Sequence, residues 1–129
     1  MAGRGTCSAA GNFVNVLKVA AQSKPTAVAG AVAGLIREGG RAELQAIGAG
    51  AVNQAIKAIA ISRSYLSPQH LDVICVPTFM EVEINNCQRT GLRLVVQRWD
   101  YDEVHSIAAE PQAPLTADDR DSEEAENSL

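Results

Sequence analysis

The chain has 129 residues, 47% of them hydrophobic but only 4% aromatic, and its formal net charge is −4. That is room for one domain with ragged ends, and a core rich in alanine and glycine is thin and closely packed, so a partner subunit would add stability. No window approaches the ~20 apolar residues of a membrane span, and MAGRGTCSAAGN lacks the apolar stretch of a secretion signal, so the expected location is cytoplasmic.

Residues 1–12 are small and polar and read as a flexible N-terminal segment; the domain itself is expected over 13–99. Phe13–Ala20, FVNVLKVA, alternates well enough for a strand. Gln22-Ser23-Lys24-Pro25 breaks that pattern, and Pro25 suits the first position of a helix, where its missing N–H is no loss. Val28, Val32, Leu35 and Ile36 then recur at helical spacing and predict one buried face. Gly30 and Gly34, four apart, would let this helix approach a neighbour closely, and Gly39-Gly40 ends it. Ala42–Ile47 is short and apolar, as befits a buried strand parallel to the first, because a helix connects the two.

The segment Leu44–Leu66, LQAIGAGAVNQAIKAIAISRSYL, carries most information. An apolar strand enters a Gly-Ala-Gly turn and opens directly into a helix from about Ala51 to Tyr65. Gly48 and Gly50 have two readings. They give a sharp turn with close helix–sheet packing, or they let an anion such as phosphate reach the unpartnered first amides of the helix. On that helix Val52, Ile56, Ile59 and Leu66 share one face, while Ala58, Ile61 and Tyr65 lie on the other side near Gln54 and Lys57. A second apolar stripe on a surface helix predicts contact with another body, most simply a second copy of the chain.

After a turn at Ser67-Pro68-Gln69, Leu71–Ile84 and Thr90–Arg98 read as a hairpin. A three-residue loop, Asn85–Cys87, pairs Glu83 with Arg89 and Met80 with Leu92, keeping both apolar sets on one face. A two-residue turn at Asn85-Asn86 would instead set Val82 against Arg89, so the longer loop is preferred. Pro77 within the long strand implies a bulge or a sheet edge. The expected order is βαβαββ, one sheet with two helices on one face. Asp100–Ala109 has room for a turn or short helix, and residues 100–129 as a whole read as an acidic, largely disordered tail.

Charge divides along the chain. Up to Trp99 ten cations face five acids, a net of +5; from Asp100 onward one arginine faces ten acids, a net of −9. Such a tail is a solubiliser, a protein-binding segment, or a screen over its own basic body. Cys7, Cys75 and Cys87 form no C-x-x-C pair, and His70 and His105 have no ligand spacing to them, so neither a disulfide framework nor a metal site is expected. His70, two residues before Asp72 in a loop, reads as an ordinary solvated arrangement. With no paired-carboxylate cleft, no Ser/His/Asp set and no cofactor motif, an enzyme is not expected.

With these residues and this order, the chain resembles the bacterial stage V sporulation protein S family over about Val16–Val96. The resemblance is densest in LKVAAQSKPTAVAGAVAGLIREGG, in AELQAIGAGAVNQAIKAIAISRSYL, and in DVICVPTF followed by RTGLRLVV. That family is in turn similar to the Alba nucleic-acid-binding proteins, which share the element order and act as dimers. The resemblance implies an α+β fold, a compact two-layer Alba-like sandwich with one mixed sheet. In Alba proteins a lysine before a proline at the start of the first helix is central to nucleic-acid contact, and Lys24-Pro25 matches it. Alba proteins also carry basic residues in and after the second turn, where this chain has Gly48, Gly50 and Gln54. A backbone anion site beside one lysine is what remains.

Two functions follow as expectations. One is an Alba-like DNA- or RNA-binding regulator with a role in sporulation, development or cell division. It uses Lys24, Gly48, Gly50 and the solvent-facing hairpin residues Arg89 and Arg93, and contacts backbone phosphate with little sequence preference. The other is a non-enzymatic structural or adaptor protein that self-associates through Ala58, Ile61 and Tyr65 and binds proteins through its tail. In both readings the chain is a homo-oligomer without a membrane partner, metal or cofactor.

Overall fold

A computed structural model describes residues 15–109. Strand β1 (Val16–Val19) leads through a tight turn into helix α1 (Pro25–Gly39), followed by β2 (Arg41–Ala46) and helix α2 (Ala49–Leu66). A 3₁₀ turn at Ser67–Gln69 precedes the long hairpin β3 (Asp72–Ile84) and β4 (Cys87–Trp99), and a short helix α3 (Tyr101–Ile107) ends the described chain. The sheet order is β1-β2-β4-β3, with β1 and β2 parallel and the other pairs antiparallel. This is the α+β, mixed-sheet sandwich expected from the sequence, with α3 added. Phe13 and Val14 of the expected first strand lie outside the described residues.

Local chemistry explains each boundary. Pro25 opens α1, and Gly40 closes it in the left-handed conformation (φ 75°), its N–H donating to the Ile36 carbonyl at 2.9 Å. The core lies between sheet and helices around Val32, Ile36, Leu44, Leu66, Leu94 and Val96, each at most 1% exposed. Hydrophobic burial of this kind contributes roughly 1.5–3 kcal/mol per large side chain.

Beside Val32, Ile36 and Leu66, the helices meet the core through small residues. Ala29 and Ala33 of α1, and Ala51, Ala55, Ala58 and Ser62 of α2, are all buried. The Ser62 hydroxyl is accommodated because it donates to the Ile59 carbonyl at 2.6 Å. This corrects the expected division of α2. Its core-facing arc joins Ile59 and Leu66 of the expected stripe to the small residues Ala51, Ala55, Ala58 and Ser62, and leaves Ile56 out. Ala58 is therefore fully buried within the single chain and unavailable to a partner, whereas Ile56 is 48% exposed. The Gly30–Gly34 pair likewise makes no close approach within the chain, since a Cβ at either meets nothing within 4 Å.

The hairpin register also differs from the preferred one. Ile84 pairs with Cys87, Val82 with Arg89 and Met80 with Gly91, so the turn is the two-residue Asn85-Asn86. Both asparagines have positive φ (52° and 65°), the conformation a two-residue hairpin turn demands and asparagine tolerates. Matching apolar faces does not decide the register here, because the end of the hairpin leaves the core. β3 is the edge strand farthest from β1, yet Met80, Val82 and Ile84 share a cleft with Lys18, Val19 and Ala20 at the end of β1. The distal arm bends across the end of the sheet. Gly91 is the pivot: a Cβ there would stand 2.8 Å from Ile47 Cγ1 and 2.9 Å from the Ala46 carbonyl oxygen.

Candidate anion-binding site at two helix starts

Both long helices begin at the same end of the sheet. After β1, Ser23 closes a turn: its N–H donates to the Ala20 carbonyl at 3.0 Å, and its Oγ accepts from the Ala20 N–H at 2.9 Å. Lys24 follows in an extended conformation as the N-cap of α1. Gly48, at φ 94° and ψ 154°, is the N-cap of α2, a backbone conformation open essentially to glycine alone. The helix therefore begins two residues earlier than Ala51, and Gly50 falls within its first turn.

Two contacts join these starts. A Cβ on Gly50 would lie 3.0 Å from Cβ of Ala21, so the turn after β1 rests directly on the first turn of α2. Gln54 Nε2 donates to the Ser23 carbonyl at 2.7 Å, fastening α2 to the residue before Lys24. The start of α2 at Gly48 and Gly50 is thus fastened to the turn that precedes Lys24. Gln54 holds the pieces together, a role its uncharged side chain did not announce.

The electrostatics favour an anion. Neither helix has a side-chain cap or an acidic residue in its first turn. The positive ends of both dipoles and their first free amides thus stand uncompensated beside an exposed lysine. Among the described residues no carboxylate forms an ion pair with Lys24.

The hairpin arginines are placed differently. Register puts Lys18, Gln45, Arg93 and Thr78 in one row across the sheet face turned away from the helices. Arg93 is engaged there, with Nη1 3.4 Å from Glu43 Oε1 and Nε donating to Thr78 Oγ1 at 3.3 Å. Its charge is largely spoken for. Arg89 is exposed on the bent arm opposite Val82 and has no ion pair among the described residues.

A second polar cluster occupies the opposite end of the sheet. Asp72, with a side chain 1% exposed, accepts from Arg63 Nε at 2.8 Å and Nη2 at 3.0 Å, and from the Val73 N–H at 2.8 Å. His105 Nδ1 lies 3.0 Å from its Oδ2. Tyr101 is stacked between His70 and His105, each ring centroid 3.9 Å away. Burial pushes the Asp72 carboxyl up, but the Arg63 hydrogen bonds, the Val73 amide and the Arg63 and His105 charges together hold it below the usual carboxylate range. Its hydrogen bonds to Asp72 raise Arg63 in turn. Asp72 is therefore no solvated loop carboxylate. Its partners come from α2 and α3, 9 and 33 residues away in sequence, beyond what its neighbourhood with His70 reveals.

Among the described residues no group of three potential ligands is arranged for a metal ion, and no helix is long and apolar enough to cross a membrane. Comparison with protein families finds a match to the family described as Stage V sporulation protein S (SpoVS), over residues 15–99. The match takes in both helix starts and the whole hairpin, and it stops at the residue before α3 is capped.

Proposed function

The chain belongs to the stage V sporulation protein S family, and from that premise we propose that it is a regulator that binds nucleic acid through the phosphate backbone. Membership carries a sporulation-related role. The nucleic-acid reading is supported by one observation above all: two uncapped helix starts, free of acids, joined through the turn that leads to exposed Lys24. Such an end attracts phosphate without distinguishing bases. The chain acts without chemistry of its own in this reading, and the Asp72 cluster is scaffold, both carboxylate oxygens being held by Arg63.

Lys24→Ala tests it. Binding of a labelled oligonucleotide, followed by anisotropy across a salt series, should weaken about equally for all sequences, with the log–log salt slope reduced by ~1 per site. The melting temperature should stay put, because the side chain is exposed. Unchanged affinity at low salt would remove the best residue of this reading.

Self-association is a second reading with an observation of its own. Phe79 is 80% exposed on edge strand β3, and Ile56 and Tyr65 of α2 are 48% and 39% exposed. With Ala58 buried, the contact we propose moves to Phe79, Tyr65 and half-buried Ile61, leaving out Ile56, which lies on the opposite side of α2 from Tyr65. Phe79→Asp should convert a dimer to monomer in sedimentation while the fold melts nearly as before. A sedimentation coefficient that does not change would exclude Phe79 from any interface.

A further inference from the structure

The bent hairpin arm encloses a cleft of about 410 Å³ that none of the expected site residues lines. One wall is aliphatic, from Met80, Val82 and Ile84 of the arm, and Ile47 after β2 continues it. The Ala20–Ala21 turn adds to the apolar lining. The floor carries two polar side chains, Lys18 and Gln45, adjacent across β1 and β2. Gln45 Nε2 donates to Glu43 at 3.2 Å, and among the described residues its Oε1 accepts from no donor. Gly91 has no Cβ because the arm presses against Ile47 and the Ala46 carbonyl there, so the cleft is built into the backbone.

Resting on the phosphate-binding reading above, we infer that this cleft receives one unstacked base of a single-stranded nucleic acid whose backbone runs over the helix starts. The aliphatic lining suits the faces of a flat ring, and an amide with an ammonium beside it suits a polar ring edge. Charge decides for an anionic polymer over a small apolar acid. Lys18 at the floor, Arg89 on the arm and Lys24 beyond the turn are all exposed and form no ion pair among the described residues. One carboxylate in the cleft would satisfy Lys18 and leave the other two. A nucleotide chain satisfies them in succession. Ala21 connects the two places, since it lines the cleft and also touches Gly50 at the start of α2. Base and phosphate of one nucleotide thus meet opposite sides of one turn. A base already free of a duplex enters most easily, so the cleft selects single strands.

The test uses the full chain with a short DNA strand bearing one 2-aminopurine, the same strand in a duplex, and free deoxyadenosine monophosphate. The single strand should bind at least about tenfold more tightly than the duplex at equal salt, with 2-aminopurine fluorescence rising severalfold as the base leaves its stack. The double variant Ala20→Leu/Val82→Leu narrows the cleft without adding charge or an aromatic ring. It should abolish the fluorescence rise and bring single-strand affinity down to that of the duplex, whereas Lys24→Ala weakens both strands alike. Melting of the double variant close to the parent shows that it folds, and the parent's fluorescence stands independently of the variant. Equal binding of both forms with flat fluorescence overturns the cleft assignment and leaves the phosphate reading intact. Failure of both forms to bind overturns both. Monophosphate binding as tight as the oligonucleotide makes the cleft a free-nucleotide site and overturns the polymer. Flat fluorescence with altered sedimentation in the double variant gives the cleft to a second copy of the chain.

Discussion

Replacing Asp72 with asparagine should lower stability by about 2–3 kcal/mol and the melting temperature by roughly 10–20 °C. The carboxylate is buried, and an amide cannot accept from both Arg63 nitrogens, so Arg63 loses its bidentate partner while staying tied into the end of α2. Arg63 is one-third exposed, which places the loss below that of a fully buried pair. The pH dependence has a definite sign. The folded carboxyl is held below its ordinary value, so its stabilising contribution is complete above about pH 4 and disappears as pH falls through the folded value. Parent and Asp72→Asn should therefore differ above pH 5 and converge in stronger acid. A gap that keeps growing as pH falls below 4 would contradict this account.

The same cluster fixes where the chain can be cut. The short helix for which Asp100–Ala109 had room is present as α3, and it is tied to the domain. Asp100 caps that helix by accepting from the Glu103 N–H at 2.9 Å, Trp99 Nε1 donates to Glu103 Oε1 at 2.6 Å, and Tyr101 and His105 close over Asp72. Removal of residues 100–129 should resemble Asp72→Asn in melting experiments. Removal of 110–129 should not, although it takes away most of the acidic charge beyond Trp99.

What was legible in the sequence was local. Pro25, Gly40 and the Gly48–Gly50 turn announce their helix boundaries because each answers a backbone requirement no other residue meets as well. Parallel strands deliver both helix starts to the same end of the sheet, which the element order already implies. The core face of α2 was legible only in part: Ile59 and Leu66 are buried as their spacing implied, but pattern reading weighs large apolar residues and missed the alanines and serine that turn the face away from Ile56. The bent arm escaped for another reason. Hydrophobic alternation in Met80, Val82 and Ile84 reports that these side chains are covered, not what covers them, and they face a cleft where the core was expected. Two signals pointed to it: adjacent asparagines fitted to a two-residue turn, and a glycine inside an otherwise regular strand.

Gly91→Ala is the sharpest test of that geometry and should lose about 1–3 kcal/mol. The added methyl would stand 2.8 Å from Ile47 Cγ1, 2.9 Å from the Ala46 carbonyl oxygen and 3.1 Å from Met80 Cε. Ile47 and Met80 are side chains and can give way. The carbonyl cannot, because Ala46 pairs with Leu92 in the centre of the sheet and also holds register with Val19. The arm must therefore swing outward, carrying Met80, Val82 and Ile84 off the cleft and exposing the apolar wall. The effect is steric and does not come from backbone preference, since Gly91 is not among the residues with positive φ. Gly30→Ala supplies the contrast. Nothing lies within 4 Å of a Cβ at that exposed helical position, so the substitution should stabilise the fold by about 0.4–1 kcal/mol. Denaturant unfolding of the two single variants should then move the midpoint in opposite directions. If both shifted the same way, the arm would not be pinned at Gly91, and a cleft bounded by Met80, Val82 and Ile84 would lose its structural basis.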